Sequence, residues 1–477
     1  MIASARRKWL ALALLCAVQF MVILDIAIVN VALPSIQVDL GFSQENLQWV
    51  ISAYALVFGG FLLLGGRMAD IIGRRKLFIA GVVVFTLGSL FCGLSWDEAS
   101  LIGSRAIQGL GAAIITPSAL AILMTTFHEG RERNIALGAW GAVGGFGAAA
   151  GVLLGGVLTD VLSWEWIFFV NIPVGLAGLA LAPILLNESR DLRVRRFDAL
   201  GALLVTGGLV ALVYGITQAN QFGWASWQTI SLFAGSLAAL AGFAVWELRT
   251  AAPLVPFSIF RLRTLTGSNV AAFLMGTMLF SMFLLLTLYM QQVLGYSAME
   301  TGIAYLATAG TAIIWANVAA QLVNRVGIKP VMVTGMALMT AGIAYFTQIS
   351  PGGSYVVDLL PGLLVIGLGM PFAYVAISIG GLTGVRQQDA GLASGLINTT
   401  QQIGGALGIA VLSAIATSVT ADAVGGGTAV PAAMTDGFRA AFWAGVGIAA
   451  LGLLASLVLV RREPAPTPET AAVAAAG

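Results

Sequence analysis

Residues 9–34 read WLALALLCAVQFMVILDIAIVNVALP, an apolar run interrupted by a single acid, Asp25. A membrane-crossing helix needs about 20 mostly apolar residues, and this run exceeds that. Arg6, Arg7 and Lys8 precede it, so the N-terminus superficially resembles a secretion signal. The run is too long for that reading, because the apolar region of a signal peptide spans about 7–15 residues. It reads instead as a retained first span. An ionised carboxylate inside such a helix is costly, which makes Asp25 the residue to explain.

The rest of the chain has the same character. Of 477 residues, 59% are hydrophobic and only 9% charged, against about 25% charged in soluble proteins. The chain is therefore an integral membrane protein. Its net charge of +2 and lack of a long basic run give no footprint for nucleic acid. Cys16 and Cys92 fall in different apolar segments, so no disulfide framework or metal cluster is expected. The single histidine, His128, lies in a short polar loop, which argues against a zinc hydrolase. No GxxxxGK[ST] motif for nucleotide phosphates is present. Neither an enzyme nor a cofactor is expected.

Glycine, proline and charge clusters divide the chain into candidate spans at 9–33, 47–69, 77–95, 100–124, 134–159, 165–186, 198–217 and 228–248. Six more follow at 266–291, 299–322, 331–349, 355–380, 393–418 and 438–460. Lys and Arg accumulate on the cytoplasmic side of membrane proteins. With the N-terminus inside, alternate loops collect all but two of the 23 basic residues. The exceptions are Arg105, inside span four, and Arg439, near the outer end of the last span. One misplaced span would invert every later loop. Fourteen spans with both termini cytoplasmic are predicted, followed by a disordered small-residue tail.

Internal duplication marks many transporters. DIIGRRK (70–76) and NRVGIKP (324–330) both follow a span and both carry glycine at their fourth position. The glycine-rich fifth and thirteenth spans correspond at a similar offset. This predicts a six-span half at 1–186, two inserted spans at 187–265, a second six-span half at 266–460 and the tail at 461–477.

Three motifs carry mechanism. In GRMADIIGRRK (66–76), Gly66 and Gly73 permit a tight turn and close helix approach. Asp70 pairs with a guanidinium or sits at a helix N-terminus, while Arg74, Arg75 and Lys76 also fit as ordinary positive-inside residues. In LIGSRAIQGLGAA (101–113), Arg105 lies about four residues inside the outer end of its span, with Gln108 on the same helix face. Such an arginine faces a cavity or a partner, or snorkels to the outer interface. In GAVGGFGAAAGVLLGG (141–156), Gly147, Gly151, Gly155 and Gly156 suit close helix packing or a hinge. SWEWIFFVNIPVG (163–175) then brings aromatics suited to the outer interface.

With LDIAIVNVALP in span one, these motifs occur in the order found in fourteen-span drug:proton antiporters of the major facilitator superfamily, and the chain resembles that multidrug and quaternary-ammonium exporter family over all but its tail. The resemblance implies an all-α fold of six, two and six transmembrane helices in a bacterial cytoplasmic membrane. It implies a monomer that exports lipophilic, cationic small molecules by alternating access, driven by the proton gradient without a cofactor. Asp25 then corresponds to the family's proton- and substrate-binding carboxylate and Arg105 to its proton-coupling arginine. Gly66, Asp70, Gly73 and Arg74 correspond to its cytoplasmic gate, joined in the gating set by Arg131, Gly147, Gly151, Gly155 and Gly156. Two positions depart from the family pattern: Val152 stands where proline is common, and Glu165 where arginine is common. An exporter of one native metabolite, antibiotic or lipid on the same fold is the alternative.

By helix rise, Asp25 lies roughly 24 Å from the inner end of its span and 13 Å from the outer, with Arg105 about 6–8 Å below the outer surface. A direct pair or a water bridge is within reach. The substrate pocket is expected between the halves near the midplane. Its candidate lining is Asp25, Asn30, Gln108, Met275, Met282, Tyr289, Gln291, Trp315, Asn317 and Tyr374, aromatic, thioether and amide groups suited to varied apolar cations.

Overall fold

Within hydrocarbon an unpaired peptide group costs several kcal/mol, and a helix satisfies its own. Every regular element in the described residues is accordingly helical. The computed structural model describes residues 2–43, 45–127, 131–190, 198–251, 253–385 and 390–461. The tail from residue 462 and the Arg131 side chain lie outside the described residues.

The first half comprises α1 (Ile2–Leu40), α2 (Trp49–Ile72), α3 (Arg74–Gly93), α4 (Glu98–Thr126), α5 (Arg131–Val161) and a sixth crossing in two pieces, α6 (Trp166–Phe169) and α7 (Asn171–Leu185). The inserted pair is α8 (Ala199–Phe222) and α9 (Trp227–Arg249). The second half comprises α10 (Arg263–Leu288), α11 (Ala298–Val326), α12 (Ile328–Tyr345), α13 (Leu360–Gly380), α14 (Ala390–Gly425) and α15 (Val430–Leu459). Thirteen spans are long and apolar enough to cross a bilayer among the described residues. With α5, 31 residues long, they match the fourteen crossings expected. Several boundaries move: α1 runs through Pro34 to Leu40 rather than stopping at 33, α14 runs on to Gly425 rather than 418, and α15 begins at Val430 rather than 438.

The two halves pair their helices in the same way. In the first, α1 packs on α5, while α2 and α3 pack on α4; in the second, α10 packs on α14, while α11 and α12 pack on α13. The glycines of the repeated loops are equivalent too. Gly73 separates α2 from α3 at φ 120°, and Gly327 separates α11 from α12 at φ 87°, a region of backbone space that favours glycine. The inserted helix α8 lies along the seam between α2 and α14. At its outer end it touches both halves. It accepts a hydrogen bond at Thr217 from Gln48, while Asn220 donates to the Ala414 carbonyl.

Hydrogen bonds between the halves cluster at the outer end. Gln291 donates to the Val31 carbonyl at 2.8 Å, Gln292 to Gln37 at 2.7 Å, and the Met299 N–H to Asp160 at 2.8 Å. The glycines of α5 divide between two neighbours. Gly147, Gly151 and Gly155 face Ile23, Ala27 and Ile28 of α1, whereas Gly156 faces the Ala298 carbonyl and Met299 of α11. Val152 leaves α5 unbroken, and its carbonyl receives the close approach of Gly302.

Close approach of α2 to α4 was expected at Gly66, but it occurs at Gly65. A Cβ at Gly65 would run into the Ala113 carbonyl, whereas one at Gly66 would meet only Pro117 at 3.5 Å. One residue turns a helix by about 100°, so neighbouring glycines meet the same helix at different distances. Overpacking a tight contact costs about 1–3 kcal/mol. Gly65→Ala should therefore lower the melting temperature of the detergent-solubilised protein by several degrees, and Gly66→Ala should leave it unchanged.

Candidate functional site

The α4 helix begins on a reciprocal cap. Asp97 accepts from the Ser100 N–H at 2.7 Å, and the Ser100 hydroxyl accepts from the Asp97 N–H at 3.1 Å. The Ser100 backbone N–H, and then its hydroxyl, hold the Asp97 carboxyl below the usual range. Two turns further on, three glycines let the neighbouring helices converge. Gly88 of α3 lies against the Gln108 backbone, Gly109 of α4 against the Tyr54 carbonyl, and Gly111 against the Phe85 backbone. Arg105 and Gln108 sit where these approaches meet, 1% and 0% exposed.

Asp25, wholly buried in α1, completes the cluster. Arg105 Nη1 donates to Asp25 Oδ2 and to Gln108 Oε1, each at 2.6 Å, while Arg105 Nε donates to the Val50 carbonyl at 2.8 Å. Two amides then converge on the other carboxylate oxygen. Gln108 Nε2 and Asn171 Nδ2 donate to Asp25 Oδ1 at 2.7 and 2.9 Å. Both amides also donate to Ser89 Oγ, whose own hydrogen goes to the Phe168 carbonyl. The guanidinium lies 4.4 Å from the centre of the Tyr54 ring and 5.7 Å from that of Phe168, which stabilises the cation by its ring contacts. Asp25 and Arg105 thus form a direct ion pair, and Arg105 does not snorkel outward.

Removing one member of a buried pair leaves the other uncompensated, at a cost of about 3–5 kcal/mol. The Asp25 cluster is accordingly a place where gain or loss of one proton rearranges several hydrogen bonds at once. Histidine, cysteine and carboxylate clusters suited to a metal ion are absent among the described residues.

The expected pocket does not assemble as one surface. Gln108 belongs to the ion-pair cluster, and Asn30 donates its amide to the Ile26 carbonyl of its own helix. Met275, Met282 and Tyr289 are sealed in the core of the second half, and the Tyr289 hydroxyl donates to the Ser350 carbonyl. Gln291 is clasped to Val31 at the outer seam. There a cavity of about 790 Å³ is lined from both halves by residues including Asp39, Trp164, Glu165, Gln291, Gln292 and Tyr296; Asp25 does not line it. Trp315, Asn317 and Tyr374 are the candidates that stay accessible, with Trp315 against Phe372 at 6.4 Å between ring centres.

At the cytoplasmic turn, Asp70 pairs with Arg74 at 2.8 Å. The helix N-terminus that Asp70 was expected to meet as an alternative is served instead by Glu188. Its carboxylate accepts from the Arg75 and Lys76 N–H groups at 3.1 and 3.2 Å, and a Cβ at Gly73 would lie 2.7 Å from it. Four contributors escaped the sequence reading: Tyr54, Ser89, Asn171 and Glu188. Asn171 carried a signal, as the amide inside an otherwise apolar sixth span. Loss of a hydrogen bond to a buried charge costs about 1.5–3 kcal/mol, so Asn171→Ala should cut substrate efflux about tenfold or more in a vesicle assay, with membrane abundance unchanged.

The residues matched by the Major Facilitator Superfamily profile are 15–409. A puromycin resistance protein of Streptomyces alboniger is 39% identical over 471 residues, covering 97% of this chain and 93% of that protein. A cephamycin export protein of Amycolatopsis lactamdurans is 40% identical over 460 residues, covering 95% and 92%. Among solved structures, a bacterial homologue of the human lysosomal transporter Spinster superposes with a TM-score of 0.66 at 17% identity, covering 97% of this chain and 99% of that one. The POT family transporter PepTSo superposes with a TM-score of 0.68 at 14% identity, covering 94% and 98%. Helix count, internal pairing and these matches agree: the chain belongs to the Major Facilitator Superfamily, a family of transporters rather than enzymes.

Proposed function

We propose that this chain is a proton-driven exporter of small lipophilic molecules, cations preferred, acting as a monomer in a bacterial cytoplasmic membrane without a cofactor. The observation that carries the reading is the fully buried Asp25–Arg105 pair with its amide partners. The puromycin resistance and cephamycin export proteins support the direction of transport and the antibiotic-like size of the cargo.

In this reading the proton binds Asp25 at Oδ2. Asp25 Oδ1 is occupied by two amide donors, whereas Oδ2 has Arg105. A proton arriving on Oδ2 displaces the guanidinium, which keeps Val50 and Gln108 as acceptors. Burial opposes charge on a carboxyl and an adjacent cation favours it, so the ionisation of Asp25 follows the position of Arg105. Protonation from outside discharges the cargo, and release of the proton inward restores the anion. Trp315 and Tyr374 offer accessible aromatic faces for a lipophilic cation.

The test is proton-driven efflux of ethidium from proteoliposomes. Asp25→Asn should reduce it about a hundredfold or more, with the protein folded and inserted; undiminished gradient-driven efflux would reject the coupling role. In cells lacking other pumps, resistance confined to neutral and anionic compounds would reject the preference for cations.

A further inference from the structure

One contact across the outer seam is made by a charge. Asp160, one residue before the end of α5, accepts the Met299 N–H in the first turn of α11 at 2.8 Å. Two neighbouring donors are served from within. The Ser297 hydroxyl accepts the Glu300 N–H at 3.1 Å, and Glu300 accepts the Ser297 N–H at 2.8 Å. The first N–H groups of a helix have no partner in their own helix, and here the Met299 donor takes its partner from the opposite half of the molecule. An anion at that position also meets the positive end of the α11 dipole.

The backbones are shaped for this contact. Gly156, four residues before Asp160 and so on the same face of α5, would place a Cβ 2.6 Å from the Ala298 carbonyl. Gly302 opens the matching approach of α11 toward Val152. The clasps of Gln291 on Val31 and Gln292 on Gln37 lie at the same end of the molecule. The charged groups around the contact are acidic: Glu300 on α11, with Asp39 and Glu165 lining the neighbouring cavity, which has no lysine or arginine in its wall. Asp160 therefore has the α11 N-terminus as its electropositive counterpart in the seam.

We propose that Asp160 is the positioning residue of the outer gate: its carboxylate, docked on the first turn of α11, holds the carrier closed to the outside. Opening outward separates α5 from α11 and breaks this contact, so Asp160 sets how much of the carrier stands outside-closed. The inference rests on the exporter reading only in assigning this motion to the transport cycle.

Spin labels at Val38→Cys and Val356→Cys, both on the outer surface and one in each half, report the gate when Cys16 and Cys92 are replaced by serine. Asp160→Ala should raise the ratio of the longer-distance to the shorter-distance population about tenfold. Asp160→Asn should fall between Asp160→Ala and the parent, because an amide oxygen still accepts the N–H without the charge. Separately, a disulfide between Asp160→Cys and Met299→Cys should stop energised efflux, and a reductant should restore it. An unchanged distance distribution in Asp160→Ala, or full efflux by the cross-linked protein, would overturn the proposal. The distance measurement needs no cargo, so a chain that moves no lipophilic cation yet shows the shift refutes the proposed cargo alone.

Discussion

Two opposite charges 2.6 Å apart, withdrawn from water inside the first half, set the terms for the helices around them. The pair persists only if its remaining hydrogen-bonding positions are filled, because desolvation offsets much of the Coulomb attraction. Val50, Gln108 and Asn171 fill them from three different helices, while Ser89 on a fourth accepts from the two amides, and each of those helices must come within hydrogen-bond reach of a common centre. That requirement explains the glycines at 88, 109 and 111. They replace side-chain volume with backbone proximity at the levels where the polar cluster needs it.

The second half repeats the helix pairing of the first but fills it with different chemistry. Where the first half has an ion pair, the core of the second has Met275, Met278, Met282, Met332, Met336 and Met339 beside Tyr289 and Tyr305. Thioethers adapt their shape readily, and the buried tyrosine hydroxyls donate to the Ser350 and Phe283 carbonyls. One architecture thus holds a buried ion pair on one side and a deformable apolar body on the other. Four glycines of α5 join the two halves, three of them seating α5 on the helix of Asp25 and one meeting α11 across the seam.

The membrane crossings were legible because hydropathy and loop charge are properties of single helices and need no knowledge of neighbours. The Asp25–Arg105 pair was legible for a related reason, since a charge within a span is rare enough to demand a partner at matching depth. Helix rotation was not. Gly65 and Gly66 differ by a single step in sequence, yet only Gly65 lies in tight contact with α4. The fates of Met275, Met282 and Tyr289 were hidden because lipid, core and drug pocket all favour apolar groups, so amphipathic patterning does not separate them. Asn171 was visible as a polar residue in an apolar span, but its role required knowing that α7 and α1 are neighbours.

The order of synthesis adds a consequence of the same ion pair. Asp25 emerges 80 residues before Arg105 and 146 before Asn171. At roughly 5–20 residues per second, the wait for the arginine is roughly 4–16 s. Through that interval the first span has no cation to offset its carboxylate, and a lone carboxylate in hydrocarbon is far costlier than the neutral acid. Satisfying that acid therefore waits on docking of the fourth span. Assembly of the first half is thus tied to the order in which Asp25 and Arg105 leave the ribosome.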